Sequence, residues 1–301
     1  MALDYQLLDV FTDTPLAGNP LAVFPDAGLL DAKAMQRIAG ELNLSETVFV
    51  TEAHAHAGRF TIRIMTPKVE LPFAGHPTIG AAVALADLRQ SQGIASSKPI
   101  ELIEPIGTIS VYVDRLGDGI GRGRFAAPRV PAEIAVDVSR DEAAAMLGVE
   151  PEAVAPEGLR AWSAGVPFLC VPITSHEALA AVALNQSLWE ARCANGPAPH
   201  VYAYVLDPEV PESTAARMFA PAMGVAEDPA TGAAAIAFAG ELAVRTGVTA
   251  GHVRTAIHQG QAIGRPSVLH VAADVAEGAV TAVWLSGCAV RVGNGSLTIP
   301  S

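Results

Sequence analysis

Three cysteines, few aromatics and no uninterrupted hydrophobic run limit what this 301-residue chain can be. Cys170, Cys193 and Cys288 lie far apart and form no CxxC pair. Disulfide or cysteine–metal frameworks are therefore excluded as organising features, and buried free thiols are expected. No apolar run reaches the roughly 18 residues a membrane helix requires. The weakly charged stretch around Leu71–Ala86 is broken by Pro72, Gly75, His76 and Pro77. The N-terminus, with Asp4 early, lacks the basic-then-apolar order of a secretion signal, so a cytoplasmic protein is expected. Basic residues are scarce: 19 Lys and Arg stand against 31 Asp and Glu, a formal net charge of −12. No basic cluster can follow a phosphate backbone, and nucleic acid is not an expected partner. A small carboxylate remains possible as a ligand, held by helix N-termini or local donors.

What is present is alanine-rich apolar chain. Half the residues are hydrophobic, and the length suits two domains, each with its own core. The organising stretch is Glu227-Asp228-Pro229-Ala230-Thr231-Gly232-Ala233-Ala234-Ala235. Asp228 is a favoured N-cap and Pro229 a favoured first helical residue, so the spacing predicts a helix starting there. The run through Ile236 and Phe238 carries no charge before Glu241, which predicts a helix buried on all sides. Small residues at its mouth leave backbone N–H groups that attract an anion or developing negative charge.

This stretch has an echo. His76–Ala82 matches Asp228–Ala234 at the Pro, Gly and both Ala positions, at an offset of 152. Arg63–Pro67 resembles Arg217–Pro221 at 154, and Gly18–Val23 resembles Gly165–Cys170 at 147. Three matches in one order predict a duplicated chain. The expected strands and helices fit two α+β halves, each a curved sheet round one apolar helix. The expected division is residues 1–126, residues 127–290 after a Pro-containing linker at Ala127–Val136, and a C-terminal tail, 291–301, returning to the first lobe. A helix is expected over Asp31–Leu42, a polar loop over Gln90–Lys98, and a short helix after Ser139.

Five motifs in order bear on function: Gly18-Asn19-Pro20, Leu44-Ser45-Glu46-Thr47, Ala74-Gly75-His76-Pro77-Thr78, Glu227-Asp228-Pro229-Ala230-Thr231-Gly232, and Gln259-Gly260 followed by Gly264-Arg265-Pro266-Ser267. On these the chain resembles, essentially end to end, the PhzF-like (phenazine biosynthesis) proteins of the diaminopimelate epimerase superfamily. The resemblance implies two pseudo-symmetric lobes, each a sheet wrapped round a central helix, with the site in the cleft. It also implies an isomerase that needs no metal or organic cofactor, acts on a small carboxylate-bearing molecule and often forms a homodimer.

From the residues alone, Glu46 is either a solvated strand-start carboxylate or a proton carrier fixed at a sheet edge. The resemblance makes it the catalytic acid/base, with His76 and Asp228 assisting. Alone, His76 reads equally as a structural histidine and Asp228 as a plain helix cap. Asn19, Ser45, Gly75, Pro77, Thr78, Thr231, Gly232 and Ala233 are the expected substrate-contacting positions, the helix-start amides near Gly75, Thr78, Thr231 and Gly232 holding a carboxylate or enolate-like charge.

Two departures matter. Many family members carry Ser where this chain has Ala233, so one hydroxyl donor is missing. The thiol-dependent racemases of the superfamily use a cysteine at each helix mouth, whereas Ala74 stands at the first mouth and neither motif contains Cys. An epimerase using carboxylate chemistry, or a binding protein that kept the fold without turnover, are the competing readings. His54-x-His56 is read as a surface loop rather than a metal site, and Gly117–Gly123 as a hairpin turn rather than a dinucleotide loop.

Overall fold

The structure, a computed structural model, describes residues 2–94, 98–207, 210 and 212–299. It divides into two compact units, Met1–Pro128 with Ser286–Ser301, and Arg129–Leu285. Among the described residues no helix is long and apolar enough to cross a membrane.

The first unit contains β1 (Ala2–Val10), β2 (Asn19–Phe24), α1 (Ala32–Leu42), β3 (Glu46–His54), β4 (Arg59–Met65), β5 (Glu70–Leu71), α2 (Gly75–Ser91), β6 (Ile100–Glu104), β7 (Gly107–Gly117) and β8 (Ile120–Ala126). The second contains β9 (Ala132–Ile134), α3 (Arg140–Leu147), β10 (Arg160–Ser163), β11 (Pro167–Pro172), α4 (His176–Ala181), α5 (Gln186–Arg192), β12 (His200–Leu206), β13 (Ser213–Ala220), β14 (Val225–Asp228), α6 (Gly232–Thr246), β15 (Gly251–Gln259) and β16 (Ser267–Ala276). A 20-residue strand, β17 (Ala279–Thr298), follows, and its later part pairs antiparallel with β1 from Val10↔Ala289 to Ala2↔Thr298.

The same pairings recur inside each unit. In the first, β1–β2 is antiparallel, β2–β3 parallel, β3–β4 antiparallel, β4–β6 parallel and β6–β7 antiparallel. In the second, β10–β11, β11–β12, β12–β13, β13–β15 and β15–β16 repeat that sequence of senses. The duplicated α+β architecture expected from the echoes is therefore the architecture of the chain.

Each sheet curves round one helix. α2 touches β1, β2, β3, β6, β7 and β8, while α6 touches β9, β10, β11, β15 and β16. Residues Gly75 to Leu85 of α2 are all buried, and α6 is buried from Ala234 to Ala243. Surrounded helices have no solvent face to mark with charge, and small residues let strands approach on every side. Gly80 shows how close: a Cβ there would lie 2.5 Å from a Leu21 methyl. The outer helix α1 is of the ordinary kind, with Asp31 accepting from the Ala34 amide at its start and Met35, Ile38 and Ala39 facing inward.

Several expectations are corrected. α2 runs to Ser91, into the stretch expected as a polar loop, so Gln90 is helical, and residues 95–97 of that loop lie outside those described. The stretch read as a linker contains β9, which pairs with β10. Pro229 does not open the second motif helix, which begins at Gly232 with Thr231 as its N-cap. The glycines of 117–123 do form a hairpin, between β7 and β8.

The repeat register changes with them. Arg63 holds Glu70 through two hydrogen bonds, of 2.7 and 2.6 Å, and Arg217 holds Glu227 through two of 2.9 and 2.7 Å. From each glutamate the chain reads Glu-x-Pro-x-x-Gly, and each glycine starts its helix, Gly75 in α2 and Gly232 in α6. Main-chain pairing agrees: Leu71 lies opposite Ile64, and Asp228 opposite Met218. The counterpart of Asp228 is thus Leu71, not His76, and that of His76 is Ala233. The Pro77–Pro229 match that suggested the first echo is coincidental.

Candidate active site

Glu46 is the first residue of β3, opposite Leu21 at the start of the parallel β2–β3 ladder. Alternation along the strand sends Thr47 and Phe49 to one face, where Phe49 joins the core beneath α1. Glu46 therefore shares the other face, toward α2. There its Oε2 lies 3.5 Å from Nε2 of His76, with side-chain exposures of 14% and 5%. His76 is the second residue of α2 rather than a cap. The N-cap is Ala74, which makes no side-chain capping bond. Burial pushes the His76 imidazole down to about 3, so it is neutral across the physiological range. At 3.5 Å this is a close contact at the outer limit of hydrogen-bond distance.

The first turn of α2 defines which donors are available. The Thr78 amide closes onto the Ala74 carbonyl at 3.2 Å, and its hydroxyl donates to the same carbonyl at 2.8 Å. Thr78 is thus used inside the helix, and the expectation that its amide holds substrate is corrected. Pro77 has no N–H to offer. The amides of Gly75 and His76, having no acceptor one turn earlier, are the donors of this mouth. Asn19 opens β2 and is buried; Ser45 immediately precedes Glu46 and is half-buried.

In the second unit Asp228 ends β14 and is buried. It is not an N-cap, which corrects the sequence reading. Its Oδ2 accepts from the Thr231 hydroxyl at 2.6 Å, so the cap hydroxyl is turned to the carboxylate rather than to the helix. Gln259 fastens both, donating from Nε2 to the Asp228 carbonyl (2.8 Å) and to Thr231 Oγ1 (3.0 Å). The Thr231 amide donates to Gln259 Oε1 at 3.4 Å, leaving Gly232 and Ala233 as the first amides of this helix.

Gly260 explains the Gln-Gly pair. It has φ +83°, and a Cβ would fall 2.3 Å from the Arg265 carbonyl oxygen and 2.7 Å from that of Pro229. Both obstacles are main chain and cannot turn aside. Gly260→Ala is expected to lose about 2–3 kcal/mol, from the left-handed backbone and the clash together. Chemical denaturation measures it, and an unchanged midpoint would remove this glycine from the account.

Each unit also places a buried polar residue outside the sequence reading. Glu104, the last residue of β6, is 4% exposed and in contact with Thr78. Its inward direction was readable: Ile100, Leu102 and Glu104 alternate on the buried face. His200 opens β12 opposite Phe168, as Glu46 opens β3 opposite Leu21. It is buried, burial lowers its pKa, and its Nδ1 has no hydrogen-bond partner among the described residues. No group of three or more metal-ligating side chains occurs among the described residues, and His54 pairs with Glu52 on the surface.

These features, a carboxylate beside a neutral imidazole at the mouth of a buried helix, on a duplicated α+β scaffold, define the class. Residues 8–295 match the family described as phenazine biosynthesis-like protein (PhzC-PhzF), and the chain belongs to that family. It is 38% identical over 302 residues to an uncharacterised isomerase of Mesorhizobium japonicum, covering 98% of this chain and 99% of the relative. It is 34% identical over 300 residues to the trans-2,3-dihydro-3-hydroxyanthranilate isomerase of Pseudomonas chlororaphis, covering 98% and 99%. Among solved structures, a PhzF-family protein of Bacillus anthracis superposes with a TM-score of 0.86 at 22% identity, over 99% of this chain and all of that one, which shows the fold. Both of these sequence relatives are named as isomerases, and the family is one of isomerases and epimerases.

Proposed function

We propose that this chain is a PhzF-like isomerase that moves a proton on a small carboxylate-bearing metabolite, with Glu46 as the group that takes the proton from carbon and returns it. The observation that carries the reading is the Glu46–His76 pair, buried together at the start of α2. A carboxylate accepts the proton, and a neutral imidazole can give or take a hydrogen bond as charge shifts. The Gly75 and His76 amides at the positive end of α2 suit a carboxylate or an enolate-like oxygen. Asp228, held by Thr231, is proposed to assist, its charge suited to a substrate amine. The reaction so written draws on side chains and helix ends, without metal or organic cofactor.

Three relatives named for trans-2,3-dihydro-3-hydroxyanthranilate make a cyclic amino acid the substrate class to try first. Ala233 argues for a substrate that needs no hydroxyl donor at that position. The experiment is incubation with a panel of such acids in deuterium oxide, comparing wild type with Glu46→Gln. Deuterium entering substrate or product with wild type alone supports the reading, and equal incorporation by the variant removes Glu46 from the role. Chiral analysis of the same products separates a double-bond isomerase from an epimerase. The assembly proposed with it is a homodimer, which sedimentation measures directly.

A further inference from the structure

The Thr78 hydroxyl has one proton and two oxygen neighbours, the Ala74 carbonyl at 2.8 Å and Glu104 Oε1 at 2.9 Å. A carbonyl only accepts. With the Thr78 proton on Ala74, the contact with Glu104 is a hydrogen bond only if the carboxyl is the donor. The other oxygen, Glu104 Oε2, is buried and has no hydrogen-bond partner among the described residues. An ionised carboxylate would leave a charged oxygen there without compensation, whereas a neutral acid leaves only a carbonyl.

The second unit makes the comparison. β4–β6 pairs Arg59 with Glu101, and β13–β15 pairs Ser213 with Ala256, so Glu104 and Gln259 each stand three residues beyond equivalent positions and each ends its strand. The Gln259 amide donates to the Thr231 hydroxyl, which donates onward to Asp228. An uncharged donor, a threonine hydroxyl and a final acceptor thus form one relay at the helix start, and unit 1 has a relay of the same kind, through a threonine within the first turn and ending on the Ala74 carbonyl, if Glu104 holds a proton.

We propose that Glu104 is a positioning residue that works as a neutral carboxylic acid, donating to Thr78 and thereby fixing the first turn of α2 that carries His76. This rests on the reading of Glu46 and His76 as the reacting pair. Burial pushes Glu104 up to about 8 from an ordinary 4.5, even against the lowering effect of a Thr78 hydroxyl that donates to it. The charged groups on the elements packed against β6 are engaged elsewhere. On β4, Arg59 pairs with Glu101 and Arg63 with Glu70; on α2, Asp87 pairs with Arg115 of β7 and with Arg291. Arg89 lies toward the far end of α2 beside Gly58, and Asp114 is on the opposite half of β7. His76, one turn-mate of Thr78, is neutral.

Glu104→Gln is the test, because the amide reproduces an uncharged donor. Infrared spectra of wild type at pH 7 should contain a protonated-carboxyl C=O band that is absent from Glu104→Gln and fades on titration through about pH 8. Melting gives the linkage. The folded state keeps this proton up to about 8 and the unfolded state loses it near 4.5, so unfolding releases a proton between those values. The wild-type melting temperature should therefore fall relative to Glu104→Gln as pH rises from 4.5 to 8, and run parallel above. His76 has the opposite slope, its contribution being lost as pH falls below 6.5, but it is present in both proteins and cancels.

In the deuterium assay Glu104→Gln should keep wild-type exchange at pH 7 and lose the wild-type decline above pH 8, while Glu104→Leu loses exchange at every pH. Identical infrared bands and parallel melting curves for wild type and Glu104→Gln would overturn the proposal. So would full exchange by a folded Glu104→Leu. The spectral and melting results do not depend on Glu46. If Glu46→Gln exchanges normally while the Glu104 band is lost as expected, the proposed reaction fails and the protonated acid stands.

Discussion

Glu46→Gln is expected to lower proton exchange by about 10²–10⁴-fold while leaving the fold intact. The range is that of removing a positioned general acid–base group. Glutamine keeps the volume and the contact with His76 but cannot hold an exchangeable acidic proton. The parent side chain is 14% exposed, so the amide can meet solvent and destabilisation should be small. The expectation is therefore a loss of turnover with an unchanged denaturation midpoint. His76→Ala should cost less, because its neutral ring shapes the charge distribution without carrying the proton. A Glu46→Gln protein that melts far below wild type would make this a folding residue, and kinetic loss would then prove nothing about its chemistry.

The largest stability effect is expected at Glu241. This carboxylate is fully buried within α6 and accepts from Trp162 Nε1 (2.8 Å), the Tyr204 hydroxyl (2.6 Å) and Arg245 Nε (2.7 Å). Glu241→Ala leaves a mostly buried guanidinium and two buried donors without their acceptor, at a cost of about 3–5 kcal/mol. Its signature is non-additivity. Arg245→Leu combined with Glu241→Leu should be markedly less damaging than Glu241→Leu alone, because the pair then leaves together and no charge is stranded. Guanidinium denaturation of wild type, Glu241→Leu, Arg245→Leu and the double variant measures it; additive losses would mean that the network is held by packing alone. The Cys170 thiol, raised well above its ordinary range by burial first and by Glu241 second, shows how apolar this part of the core is.

The residues allowed the architecture to be read where physical signals were local. An Ala-rich run without charge can only be a surrounded helix, and both α2 and α6 are that. Where the signal was ambiguous, the reading went astray. Asp-Pro is a strong helix-start pair, yet at 228–229 the aspartate is still paired in a sheet and the proline lies in the turn, because Thr231 is the residue Gln259 holds at the helix entry. The short strand β10 and helices α4 and α5 carry too few residues for a period to emerge. Gly287, Gly293, Asn294 and Gly295 look like turn residues, yet all four lie within the single strand β17. In the fold, Gly287 and Gly295 lie beneath the rings of Phe11 and Tyr5, where any side chain would collide.

The proposed site was legible unevenly. The Glu46 and His76 candidates came from motif resemblance, since nothing local in Ser-Glu-Thr says that the carboxylate turns inward. Glu104, by contrast, stands in plain alternation with Ile100 and Leu102, outside all five motifs. Thr78 was assigned to substrate because it stands near a helix start, but a threonine one turn inside a helix can spend its hydroxyl on the carbonyl behind it.

The pairing of Ala2 with Thr298 sets an order on how the chain can mature during synthesis. Arg129–Leu285 is continuous and has all its strands once residue 285 has left the ribosome. β1, made first, must wait for the final segment before its second edge is covered. Until residues 289–298 are made, that edge is open to other chains, and a polypeptide cut short before them is the form most prone to associate wrongly.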